Sequence, residues 1–169
     1  MSLPLIMLGG VPIVLDAGAP DLADSPLLGE SIIRLSRGEG VKMTHWSKAG
    51  GTITGQGWMP PGLDGLDYSQ PLELRLTAQE SIVGTVQSFA LTSTPRPDWE
   101  PWAFALVGRQ WVETGCSFSD DVATADLVVG AAMYMIQWMP VYNVFASKPP
   151  KTQSSAQGTF GWTISWEEV

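Results

Sequence analysis

With one histidine and one cysteine in 169 residues, the chemistry open to this chain can be taken residue by residue. His45 stands in MTHWSK, on a segment that reads as strand. A catalytic triad needs a serine and a carboxylate beside the histidine, and a zinc site needs further Cys or His ligands. Cys116, in TGCSF, lies far from His45 in sequence and has no second cysteine to pair with. His45 therefore reads as a packed or hydrogen-bonded strand histidine and Cys116 as a small buried hydrophobe. A hydrolase with His45 as general base is the weakest functional reading, because no nucleophile accompanies it in the sequence. Among the carboxylates, Asp64 and Asp67 are spaced i, i+3 around Gly65. A calcium loop wants further oxygen ligands at alternate positions, and Leu63, Leu66 and Tyr68 supply them poorly. The adjacent pairs Asp120–Asp121 and Glu167–Glu168 point to opposite faces on a strand, so neither is the converging pair that glycoside hydrolysis requires. No phosphate loop, dinucleotide fingerprint or nucleophile elbow is present. No catalytic residue, metal or cofactor is assigned.

Eight tryptophans are the compositional signal that stands out. Trp99 and Trp102, in TPRPDWEPW, sit in a proline-stiffened loop that would offer aromatic platforms to a partner subunit or a sugar, or fold down over its own core. A second aromatic stretch is GWMPPGLDGLDYSQPLELRL, Gly57 to Leu76. Pro60 and Pro61 fix an extended start, Gly62 and Gly65 permit positive φ, and Asp64 and Asp67 can bond nearby backbone amides. It reads as a rigid corner between strands. A stiff loop loses little entropy on docking, so Trp58, Met59 and Tyr68 are expected to anchor a neighbouring subunit.

The elements that position these residues are almost all strands. Leu72, Leu74 and Leu76 alternate with Glu73 and Arg75, a half-buried strand. Residues 31–35, 41–46 and 51–58 are short apolar stretches bounded by RGEG and KAGG, which read as turns. Residues 81–91 are expected as one strand, and 102–113 fold back through Gly108. Residues 125–132 fit helix or strand. Trp162, Ile164 and Trp166 share one face of a final strand, 160–167. The N-terminal residues Leu3 to Leu8 and Val11 to Leu15 read as a hairpin about Gly9 and Gly10, with Pro12 at an edge. They lack the basic start and unbroken apolar run of a signal peptide. Leu127 to Ala146 is uncharged over a membrane-spanning length, but Gly130, Gln137, Pro140 and Asn143 interrupt it, and a pair of buried strands bent or separated near Pro140 is expected instead of membrane insertion. Residues 16–29 and 148–158 read as irregular loops. The sum is a single all-β domain spanning 1–169, a β-sandwich or split β-barrel with long Pro/Gly-rich loops and at most one short helix.

Composition narrows the partners. A formal charge of −8, with nine scattered Lys and Arg, argues against nucleic acid. Only 15% of residues are charged and 44% are hydrophobic, a balance suited to a chain that covers part of its apolar surface with partners.

The run THWSKAGGTITGQGWMPPGLDGLDYSQPLELRL, with the terminal GWTISWEEV, resembles small β-rich structural proteins from the tails of long-tailed bacteriophages, most of all tail-tip or baseplate components such as distal tail proteins. The resemblance covers about half the chain in style rather than in a diagnostic motif. It implies a protomer, made in the host cytoplasm and carried in the virion, that assembles without catalysis in a ring, often six-fold, with itself and other tail proteins. The chain lacks the long receptor-binding extension that some such proteins carry. The alternative is a carbohydrate-binding module that meets host surface glycan through Trp99 and Trp102.

Overall fold

In the computed structural model, which describes residues 4–169, Gly9 and Gly10 both take positive φ. They close a tight turn between β1 (Met7–Leu8) and β2 (Val11–Pro12), because only a left-handed pair matches the twist of the strands it joins. Leu3 of the expected hairpin lies outside the described residues. The remaining strands follow in order: β3 (Asp21–Arg34), β4 (Gly40–Gly57), β5 (Leu72–Arg75), β6 (Glu80–Gly84), β7 (Ser88–Ala90), β8 (Trp102–Val107) and β9 (Gln110–Thr114). Then come β10 (Cys116–Ser119), β11 (Val122–Ala125), β12 (Ala131–Trp138), β13 (Val141–Ala146), β14 (Lys151–Ser154) and β15 (Thr159–Glu168). A three-residue 3-10 turn, Leu15–Ala17, is the sole helical element among the described residues. The protein is all-β, built from several antiparallel sheets, and no sheet closes into a barrel. No helix is long and apolar enough to cross a membrane among the described residues.

The chain packs as two compact units: residues up to Pro12 with Glu73–Tyr142, and Ile13–Leu72 with Asn143–Val169. The first is a small sandwich. One layer is a four-stranded sheet in the order β6-β12-β8-β9, and the other is three-stranded, β10-β11-β7. Ala103, Ala105, Tyr134, Ile136 and Trp138 from the first layer meet Phe89, Ala123 and Ala125 from the second. Small residues on β8 and β11 let the large aromatic rings fill the space between layers. A ladder of β2, β1 and β5 completes this unit, with Leu8 opposite Leu74, both fully buried. Residues 81–91, expected as one strand, break at a turn into β6 and β7, which join different sheets. The ambiguous stretch 125–132 is the end of β11, a turn and the start of β12.

The second unit is an antiparallel sheet ordered β13-β15-β4-β3, with β14 also paired to β15. Trp162, Ile164 and Trp166 are buried along one face of β15, as their alternation requires, and Ile53 opposite Ile164 is fully buried too. Three expectations are corrected here. Residues 16–29 are the 3-10 turn and the first half of a 14-residue strand, not an irregular loop. Pro26 is tolerated because β3 is the edge of the sheet. Residues 148–158 contain β14, whose ladder with β15 orders them. The KAGG segment is likewise no turn: it lies inside the 18-residue β4, which joins the separate segments 41–46 and 51–58. Glycine there serves close approach instead, since a Cβ on Gly51 would fall 2.4 Å from the Ala23 carbonyl oxygen.

Candidate functional site

The residues expected to carry chemistry are dispersed. His45 is exposed on β4 at a register shift, unmatched between Thr44 and Trp46, which pair with Glu30 and Gly29. Cys116 is half-buried, and burial, then the charges of Asp126 and Glu100, push its thiol pKa up. Asp120 and Asp121 form the β10–β11 turn with φ of 51° and 61°, a left-handed conformation that aspartate tolerates better than most residues. Among the described residues no group of three His, Cys, Asp or Glu side chains converges as a metal site.

The corner at 57–72 is pinned from within. Tyr68 donates from its hydroxyl to the Leu63 carbonyl at 2.8 Å, and Leu63 is buried. Asp67 accepts from the Ser69 backbone N–H at 3.0 Å and from its hydroxyl at 2.6 Å, which holds its carboxyl pKa low. Gly62 takes φ 75°. Asp64 does not bond the turn; it pairs with Lys151 and, at 3.8 Å, with Lys148. The hydrogen bond from Lys151 is the main cause of its lowered pKa. Beside that pair, Pro60, Pro61, Pro149, Pro150, Phe160 and Trp162 line a cleft with room for about 40 Å³. That is space for a few waters and far below the roughly 300 Å³ at which ligand pockets begin. Of the three expected anchors here, Trp58 is 61% exposed and Met59 is exposed, whereas Tyr68 is turned inward by its hydrogen bond.

Trp99, in the proline loop before β8, and Trp102, the first residue of β8 rather than part of the loop, are both half-buried. The organising residue is one the sequence reading passed over, Arg96, 2% exposed. Its guanidinium grips Asp98 through two bonds of 2.8 Å and donates to the carbonyls of Leu76 at 3.0 Å and Leu5 at 2.9 Å. The Arg96 hydrogen bond holds the Asp98 carboxyl below its usual pKa. The signal was present in the RPD triplet, where the two charged residues flank a proline that fixes their separation.

Two surfaces carry exposed apolar side chains in cross-strand rows. The first is the far half of the β3–β4 hairpin, where every residue from 30 to 48 is exposed. Cross-strand register sorts its two faces. Ile33 pairs with Val41, Ser31 with Met43 and Gly29 with Trp46. These pairs and Leu35 put an apolar stripe on one face, with the Trp46 indole lying over Gly29. The other face is mixed: it carries Arg34, Thr44 and a Lys42–Glu30 ion pair at 2.6 Å, with Ile32, 64% exposed, opposite Lys42. The second surface is the face of the β6-β12-β8-β9 sheet turned away from the sandwich core. Val83, Met135, Phe104 and Glu113 form one cross-strand row there, and Met133, Leu106 and Trp111 the next. Val83, Met133 and Trp111 are each exposed. Trp102 belongs to this face, its indole N–H donating to the Gln137 side-chain oxygen at 2.9 Å.

Sequence reasoning found Trp102 but not the hairpin stripe, because alternating apolar residues on a strand look the same whether they face a core or solvent. No family model, curated protein or solved structure matches the chain.

Proposed function

We propose that this protein is a non-enzymatic structural subunit that assembles with copies of itself and with other proteins, and that the assembly is a tail tip or baseplate of a long-tailed bacteriophage. The observation that carries the assembly reading is the hairpin projecting Leu35, Ile33, Val41, Met43 and Trp46 into solvent on one face. Exposed apolar side chains in a contiguous row mark protein-binding surfaces. The phage setting rests on the resemblance of residues 44–76 and 161–169 to tail proteins. Trp58 and Met59, exposed beside a corner stiffened by Tyr68 and Asp67, offer a second place for a neighbour to grip. A carbohydrate-binding module has less support, since the Trp102 N–H is engaged by Gln137 and the proline-lined cleft is too small for a sugar ring. Light scattering of the purified chain over a concentration series should show oligomers, and the chain should be found in purified phage particles. A strictly monomeric protein absent from particles would overturn the proposal.

A further inference from the structure

We infer that the hairpin arm of one copy docks, through its apolar face, on the outward face of the β6-β12-β8-β9 sheet of a second copy, making a head-to-tail contact that can close into a ring. The inference rests on the assembly reading above and specifies its contact.

The two surfaces complement each other in character and charge. The arm presents Leu35, Ile33, Val41, Met43 and Trp46; the sheet presents Val83, Met133, Met135, Phe104, Leu106 and Trp111. Both are uncovered in the single chain, since Trp46 is 53% and Val83 48% exposed. Residues 27–48 hold Arg34, Arg37, Lys42 and Lys48 against Glu30 and Glu39, a formal +2, leaving five Lys/Arg and fifteen Asp/Glu, a formal −10, for the rest of the chain. The unit that owns the sheet has three Lys/Arg against eight Asp/Glu, a formal −5. A basic arm is thus steered toward the acidic unit of another copy, and two arms repel each other. A partner of the same charge character as the arm has no such attraction.

The dimensions decide the form of the assembly. The strand residues 27–34 and 40–48, at about 3.3 Å each, make an arm roughly 25–30 Å long, and two strands make it about 10 Å wide. A face of about 300 Å² is well short of the roughly 800 Å² per partner of a standard stable interface. One such contact is weak. Because giving surface and receiving surface differ, each copy can make both contacts, and a closed ring doubles what a dimer has. Self-association should therefore be steep in concentration and weaker at high salt.

The test uses the full chain with two variants at exposed positions, Ile33→Asp on the arm and Val83→Asp on the sheet face, each confirmed as folded by its thermal melt. At a concentration where the unaltered chain forms rings, each variant alone should remain monomeric, with association weakened at least tenfold. Mixed one to one and concentrated well above that point, because a single contact lacks the support of ring closure, they should form a dimer and nothing larger, the intact arm of the Val83→Asp chain meeting the intact sheet of the Ile33→Asp chain. Undiminished assembly of either variant, or a mixture that stays monomeric, overturns the arm-on-sheet contact while leaving the assembly reading in place. An unaltered chain that never self-associates overturns the contact as well, and the assembly reading falls with it only if the chain is also absent from phage particles.

Discussion

The β3–β4 hairpin pairs from Asp21–Thr54 to Arg34–Gly40 with one register shift at Gly29–Glu30, and its two halves live in different surroundings. In the near half β4 is an interior strand, paired to β3 on one side and to β15 on the other, with Ile53 fully buried. In the far half the same two strands pair only with each other among the described residues, and all their side chains from 30 to 48 are exposed. Apolar side chains occur in both halves, Leu22 and Ile53 in the near one and Ile33 and Val41 in the far one. Backbone pairing extends the strands, but burial comes only where a third strand and a packed face are present. The near half belongs to the fold, and the far half is apolar without contributing to a core.

The widest separation between the halves should appear in core truncations. Ile53→Ala leaves a cavity against Ile164 and is expected to cost about 2–5 kcal/mol of unfolding free energy, read by urea denaturation. Ile33→Ala, an equal truncation on the same hairpin, should change stability by no more than about 0.5 kcal/mol. Equal losses would show that the arm is packed in solution and would break the comparison. The next largest effect tests tight packing without a cavity. A Cβ on Gly55 would lie 2.4 Å from the Trp162 ring. That ring cannot swing aside freely, since its indole N–H donates to the Ala17 carbonyl at 2.8 Å in a buried site. Gly55→Ala should cost about 1–3 kcal/mol, whereas Gly38→Ala, at the arm turn with open space around it, should show only the smaller strain of its positive φ.

The same contrast explains what could be read from the sequence. Local signals were legible where chemistry is local: the Gly9–Gly10 turn, the fold-back at Gly108, the separation at Pro140 and the alternation of Trp162, Ile164 and Trp166 all stand where expected. Long-range pairing overrode local signals elsewhere. Gly50 and Gly51 resemble a turn, but they pair with Glu167 and Trp166 on one side and Ser25 and Asp24 on the other, so the glycines continue a strand. Residues 21–29 are polar with a proline, and β4 holds them straight all the same. For the candidate site, Trp58, Met59 and Trp102 were legible as aromatic or apolar residues near proline. The arm was not, because nothing in Ile33, Val41 or Met43 says which side of a sheet they face. Arg96 was missed for the converse reason, that its buried partners are the carbonyls of Leu76 and Leu5, distant in sequence.

A residue at the junction of the halves should behave as an intermediate. The Glu168 carboxylate accepts the Ala49 backbone N–H at 2.8 Å and lies 3.8 Å from the Lys48 ammonium, tying β4 where it leaves the packed sheet. Glu168→Ala abandons a half-buried N–H and should cost about 1–2 kcal/mol. Glu168→Gln keeps an acceptor and should recover most of that. Hydrogen exchange would sharpen the comparison further: in Glu168→Ala, amide protection should fall at Ala49 and its neighbours first, and the ladder around Ile53 should stay protected.

The smallest effect on stability is expected from Trp46→Ala, and it is the most telling for function. The indole lies over Gly29 and is 53% exposed on a hairpin half whose residues are all exposed, so its removal should shift stability by no more than about 0.5 kcal/mol. Tryptophan is also the residue whose truncation most often weakens an interface. If the arm serves association, Trp46→Ala should lower ring formation several-fold at unchanged Tm, and the variant should lose a tryptophan whose emission shifts to the blue as the unaltered chain assembles. A blue shift that survives in Trp46→Ala assigns the buried ring to Trp58, Trp102 or Trp111 instead. Fold and association would then still separate along the hairpin only if ring formation fell, and unchanged ring formation would leave the far half with no role that its exposed side chains explain.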